Sequence, residues 1–161
     1  MPHTRPTTEI AKEGLFNVLQ HSLDMEELVT LDLFGGTGNI SYELASRGAK
    51  QLTIVEKDPA MFEFIRKTTE TLRITNLTAV RMDVFKFIER CEDQFDFIFA
   101  GPPYALSSID ELPRQIVAKK LLNTGGWFVL EHTPRNDYKT FPLYKMERNY
   151  GTTIFSIFVN E

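Results

Sequence analysis

Leu31-Asp32-Leu33-Phe34-Gly35-Gly36-Thr37-Gly38-Asn39 is an apolar run that breaks into a glycine cluster, and its reading decides the fold. Val29 to Phe34 reads as a buried strand, and Asn39 to Arg47 as the helix that follows, stopped by Gly48. Glycines between a strand and a helix let the backbone pass close to a ligand with no Cβ in the way. Which ligand depends on spacing. A dinucleotide fingerprint needs G-x-G-x-x-G, and counting from Gly36 the third glycine falls on Ser41, which weakens a nicotinamide reading. A P-loop would place a Lys-Ser or Lys-Thr pair after the glycines, and none is there.

Outward from this turn, strands and helices alternate. Thr7 and Thr8 supply N-cap candidates for a helix from Glu9 to Gln20, with Ile10, Gly14 and Val18 at helical spacing beside Ala11, Leu15 and Leu19. After the glycine turn come a strand over Gln51–Glu56 and a helix from Pro59 to Leu72 with proline in its first turn. A strand over Leu77–Met82, a short helix over Phe85–Arg90 and a flat apolar strand over Phe95–Ala100 follow. A helix over Ile109–Leu122 and a strand over Trp127–Glu131 complete the alternation. Tyr144–Asn149 and Thr152–Val159 flank Tyr150-Gly151 as an antiparallel hairpin. The predicted architecture is α/β: a Rossmann-like, seven-stranded, mostly parallel sheet with helices on both faces and a C-terminal antiparallel hairpin.

Composition bounds the function. A chain of 161 residues is the size of one domain, here taken as residues 1–161, and 42% hydrophobic with 25% charged residues is ordinary for a globular protein. No stretch has the apolar length of a membrane span, and the first residues lack a signal-peptide core, so a cytoplasmic monomer is expected. Cys91 is the sole cysteine, which excludes an internal disulfide and a cysteine metal site. The net charge of -4 argues against bulk coating of nucleic acid, so RNA contacts would need a local patch, with candidates in Arg114, Lys119, Lys120, Arg135, Lys139, Lys145 and Arg148.

Acids at strand ends narrow the ligand. S-adenosylmethionine carries a cationic sulfonium and a ribose but no phosphate, so its site wants close backbone, a carboxylate near the aminoacyl end and an acid for the ribose hydroxyls. Asp32 and Glu56 fit those two roles at the ends of adjacent strands. Asp83, with Val84 behind it, ends the third strand where adenine would lie between apolar walls. Acids after strands are also common helix caps, a role open to Asp58 and Asp83.

These residues resemble the RsmD-type family, class I S-adenosylmethionine-dependent methyltransferases of small-subunit ribosomal RNA. The likeness runs through Arg5-Pro6-Thr7-Thr8, Lys12-Glu13, Leu15 to Leu19, Leu31 to Phe34, Gly36-Thr37-Gly38 and Ser46 to Ala49. It continues in Val55-Glu56-Lys57-Asp58, Pro102-Pro103-Tyr104, Gly125-Gly126, Glu131-His132 and Tyr150-Gly151. The resemblance implies methyl transfer to the exocyclic N2 amine of a guanine in 16S rRNA, free or in the assembling 30S particle, with S-adenosylhomocysteine as product and no metal. It implies a cofactor site of Thr7, Thr8, Asp32, Phe34, Gly36, Thr37, Gly38, Glu56, Lys57, Asp83 and Val84. The acceptor loop would be Gly101, Pro102, Pro103 and Tyr104.

Two departures from the family pattern carry expectations. The family usually opens with a basic hairpin of roughly 20 to 30 residues, the size of a small supersecondary unit, whereas this chain begins almost at Arg5-Pro6-Thr7-Thr8, so that element is expected to be missing. The second is Gly101, where the family has aspartate or asparagine. The guanine amine must pyramidalise to attack a methyl group, helped by acceptors for its N–H bonds, one a side chain at 101 and the other the carbonyl of Pro102. Tyr104 would stack on the extruded base. Losing one such contact costs roughly a hundred- to a thousand-fold in comparable oxyanion-hole cases, so slow transfer is expected. The alternative is a cofactor-binding pseudoenzyme or RNA-associated module. His132 after its strand reads as structural rather than as a base.

Overall fold

The computed structural model describes residues 7–161, so Arg5 and Pro6 lie outside the described residues. Its elements are α1 (Glu9–Ser22), a 3-10 turn (Met25–Glu27), β1 (Val29–Leu33), α2 (Asn39–Ser46), β2 (Gln51–Val55), α3 (Pro59–Thr71) and β3 (Leu77–Val80). The chain continues with α4 (Val84–Arg90), β4 (Phe95–Ala100), α5 (Glu111–Ala118), β5 (Leu122–His132), β6 (Tyr144–Tyr150) and β7 (Thr153–Val159). The strands form one sheet in the order β3-β2-β1-β4-β5-β7-β6. β1 to β5 run parallel, while β7 inserts antiparallel between β5 and β6.

Local chemistry starts the helices. Thr8, Asp58 and Asp83 each accept a backbone N–H of the first turn of α1, α3 and α4, at 3.2, 2.9 and 3.2 Å. Burial then divides the sheet into two faces. Leu31, Leu33, Ile98, Leu130 and Phe158 pack under α4 and α5, while Leu52, Phe97, Phe99, Val129 and Phe155 pack under α1 and α2. The phenylalanines of β4 serve both faces, Phe95 under α4 and α5 and Phe97 and Phe99 under α1 and α2.

Three details differ from the sequence reading. The buried stripe of α1 is Ala11, Leu15, Phe16 and Leu19, whereas Ile10 is 77% exposed. α5 ends at Ala118, not Leu122, because Lys120 turns left-handed at φ 54° and closes the helix: Lys120 N–H donates to the Val117 carbonyl and Leu121 N–H to that of Ile116. β5 pairs with β4 first at Leu122, loops out over residues 123–126, and resumes at Trp127 opposite Phe97. Asp96 braces the interruption, accepting from Asn123 Nδ2 and Val29 N–H at 2.9 Å each.

Candidate active site

The sheet order reverses between β1 and β4, so the segments leaving these neighbouring strands diverge and open a crevice beyond their C-terminal ends, where ligands of open α/β sheets bind. One wall is the glycine turn. Gly35 N–H donates to the Val55 carbonyl at 3.1 Å, and Gly38 N–H to Gly35 at 2.8 Å. Gly38 starts α2 at φ 84° without a side-chain cap, and a Cβ there would stand 2.4 Å from the Tyr42 ring. Phe34 is left-handed at φ 60° and half-buried against the α4–α5 side of the core.

Two carboxylates face this turn. Asp32, 3% exposed, accepts from the Ser41 hydroxyl at 2.8 Å. Glu56, 8% exposed, accepts from Gly36 N–H through one oxygen and from Asp58 N–H through the other, both at 2.9 Å. Burial is the main force raising the Asp32 carboxyl to a pKa of about 7; the nearby Glu56 charge raises it further, and the Ser41 hydrogen bond opposes both. Two buried carboxylates over a turn of backbone N–H groups suit a cationic ligand with hydroxyls. A phosphate would meet like charge there, so the donor set fits S-adenosylmethionine better than a nucleotide.

Ser41 is the residue whose significance spacing alone hid. It stands where the dinucleotide pattern requires glycine, and its hydroxyl is the partner of Asp32. Lys12 is a brace that the sequence pattern does not reveal: its ammonium, largely buried, donates to Asn39 Oδ1 at 3.1 Å and pairs with Glu43 at 3.6 Å, tying α1 to the first turns of α2. The remaining candidates lie on several elements. Thr37 is half-buried in the turn and Lys57 is exposed beyond β2. Thr8 and Asp83 are helix caps, and Val84 is buried in the core.

The acceptor loop leaves β4 beside β1, with Gly101 N–H directed at the Leu33 carbonyl, 3.4 Å away. Pro102 is buried, and the Pro103 carbonyl accepts from Leu106 N–H at 3.0 Å. Tyr104, two residues past Pro102, is 38% exposed. A Cβ built on Gly101 would lie 3.1 Å from the Phe99 ring and 3.5 Å from Glu131 Oε1. Glu131, 3% exposed, is the penultimate residue of β5, one strand over, and its Oε1 accepts from the Thr7 hydroxyl at 2.6 Å. Thr7 therefore sits with the acceptor loop rather than with Asp32.

His132 points elsewhere. Its Nδ1 faces the Thr133 carbonyl at 2.8 Å and so carries the proton, leaving Nε2 to accept from the Ser156 hydroxyl at 2.6 Å. Burial lowers its pKa and keeps this neutral, structural form. Among the described residues no cluster of His, Cys, Asp and Glu could hold a metal ion. Several basic candidates are engaged with acids: Arg114 with Glu111 at 2.8 Å, Lys139 with Glu147 at 3.6 Å and Lys145 with Glu161 at 2.5 Å.

Comparison with known proteins places the chain in a family. The sequence model of the family described as Conserved hypothetical protein 95 matches residues 1–159. The Ribosomal RNA small subunit methyltransferase D of Buchnera aphidicola subsp. Baizongia pistaciae is 24% identical over 164 residues, 97% of this chain and 81% of the relative. Its Escherichia coli K12 namesake is 29% identical over 130 residues, 81% of this chain and 62% of the relative. Among solved structures, a Thermus thermophilus 16S rRNA N2 methyltransferase in complex with AdoMet and guanosine superposes with a TM-score of 0.76 at 24% identity, over 96% of this chain and 44% of that one. With nearly its whole length matched, the chain belongs to the RsmD-type methyltransferase family.

Proposed function

We propose that this protein transfers the methyl group of S-adenosylmethionine to the exocyclic N2 amine of a guanine in small-subunit ribosomal RNA. One observation carries the reading: the crevice at the β1/β4 reversal has the Asp32–Glu56 carboxylates and glycine turn on one wall and the Pro102-Pro103-Tyr104 loop on the other. Membership of the RsmD-type family and the ribosomal RNA named for its relatives support the substrate class. Guanine N2 rests on the family resemblance and on the guanosine complex of a neighbour with the same fold.

When bound, S-adenosylmethionine supplies an electrophilic methyl group on a cationic sulfur. Asp32 holds the aminoacyl end through its negative charge. Glu56 receives the ribose hydroxyls with lone pairs left over from its two backbone bonds. The turn around Gly36, Thr37 and Gly38 gives backbone approach, with Phe34, Lys57, Thr8, Asp83 and Val84 bordering the cofactor. Tyr104 stacks on the extruded base, and the Pro102 carbonyl accepts one amine N–H. Gly101 offers no side-chain acceptor, so the second N–H falls to a neighbouring residue.

The test is tritiated methyl transfer to 16S rRNA, free and in 30S particles, from cells lacking this modification, followed by nucleoside analysis. N2-methylguanosine as the product is the expected result. Methyl groups on another base or atom, or binding of NADH with none of S-adenosylhomocysteine, would overturn the reading.

A further inference from the structure

We propose that Glu131 is the carboxylate acceptor for the target amine, replacing the side chain that Gly101 lacks. The inference rests on the methyl-transfer reading above and adds a catalytic residue to it. An aspartate at position 101 would carry its oxygens about 2.4 Å from Cβ by covalent geometry. Glu131 Oε1 already lies 3.5 Å from that Cβ position, next to the volume such a carboxylate would sweep. It arrives from β5 because the Ala100–Leu130 register sets Gly101 beside Glu131 at the ends of adjacent parallel strands. Without a Cβ on Gly101, nothing from the loop's own side chain separates this carboxylate from the crevice.

The surroundings hold the carboxylate in place. The Thr7 hydroxyl donates to Oε1 at 2.6 Å, and Glu131 is 3% exposed, so its position is fixed by packing and hydrogen bonding rather than by solvent. The two oxygens of a carboxylate offer about four lone-pair sites, so an amine N–H can be added to the partners Glu131 already has. The Phe99 ring, 3.1 Å from the Cβ position, closes the other side of Gly101. An aspartate added there would lie against that ring and place a second carboxylate beside Glu131, which raises the pKa of one of the two.

The step balances without another reactant. The amine lone pair forms the N–C bond as the C–S bond breaks, sulfur keeping that pair, and the methylated nitrogen gives up one proton. Glu131 holds the N–H bond while the nitrogen pyramidalises, and its carboxylate takes the proton that the methylated nitrogen loses. The positive charge developing on nitrogen is thus met by a preorganised anion.

The experiment compares wild type, Glu131→Gln, Gly101→Asp and the double variant carrying both substitutions in the full chain. Tritiated transfer to unmodified 16S rRNA is measured with calorimetry of S-adenosylhomocysteine and NMR titration of guanosine against inosine, which lacks the 2-amino group. Glu131→Gln should lose about a hundred- to a thousand-fold in rate with S-adenosylhomocysteine affinity unchanged. Its preference for guanosine over inosine should fall by about tenfold, the size of one hydrogen bond to a charged acceptor. The double variant should regain rate, because the introduced aspartate supplies the charged acceptor that Glu131→Gln lacks; a purely structural glutamate would leave the guanosine-over-inosine preference of Glu131→Gln unchanged. A Glu131→Gln rate equal to wild type overturns the proposal while leaving the methyltransferase reading intact. So does a silent wild type beside an active Gly101→Asp. Silence from both, with S-adenosylhomocysteine bound, overturns the RNA reading and the Glu131 proposal with it.

Discussion

Asp32 shows how one buried carboxylate can set the pH behaviour of a site. Its folded pKa of about 7 exceeds the ordinary value of 3.8, so between those values the folded chain holds a proton that the unfolded chain has lost. Stability must then fall as pH rises through this window, by about 4 kcal/mol in total at 1.36 kcal/mol per unit. Urea midpoints between pH 4 and 8 should show this decline, and Asp32→Asn should flatten it; an unchanged slope in the variant would assign the titration to another group. The ammonium of the aminoacyl end, which S-adenosylhomocysteine shares with S-adenosylmethionine, favours the ionised form of Asp32, so S-adenosylhomocysteine binding should release protons and weaken by about tenfold per pH unit below 7. Calorimetry in buffers of different ionisation enthalpy reads that release directly. Ser41→Gly would complete the dinucleotide spacing yet remove the bond holding Asp32 toward its ionised form, and should move both transitions to higher pH.

At the scale of elements, what was legible in the sequence was local. Thr8, Asp58 and Asp83 announced their helices, the glycine turn announced the crevice, and β4 was bounded at Phe95 and Ala100 by its apolar run. The end of α5 was hidden because its left-handed closing residue is Lys120, a residue that seldom signals a stop. The site was readable to the same extent. Asp32, Glu56 and Pro102 lie at strand ends, where pattern points, but Thr7 meets Glu131 across 124 residues of chain, a contact only the sheet order creates. Lys120→Gly removes the Cβ strain of the left-handed closure and should stabilise the protein by up to about 1 kcal/mol, since the unfolded chain also gains freedom. Thr8→Ala should cost about 1 kcal/mol through the lost cap of α1. Thermal melts of the two variants should shift in opposite directions.

For the molecule as a whole, charge and shape limit how RNA is held. The sheet packs helices on both faces, with apolar β7 inside and β6, which carries Lys145, Glu147 and Arg148, at the edge. Charged side chains on an exposed edge discourage strand addition, which leaves this edge open to solvent and ligands rather than to another sheet. Lys145 and Lys139 are paired with Glu161 and Glu147, and Arg114 with Glu111, so three of the basic candidates are already compensated in a chain of net charge -4. Each phosphate neutralised releases counterions and steepens the fall of affinity with salt by about 0.7 to 0.9 in log–log slope. A chain with an excess of acids opposes close approach of many phosphates, so affinity is expected to come chiefly from base stacking on Tyr104 and the amine contacts of the acceptor loop. For a 16S rRNA fragment titrated at about 50 to 200 mM salt, the slope should be shallower than about -4. Fluorescence anisotropy measures it, and Tyr104→Ala should weaken binding by about 1 to 3 kcal/mol with little change in that slope. A slope near about -8, insensitive to Tyr104, would mean that backbone charge rather than the extruded base holds the RNA.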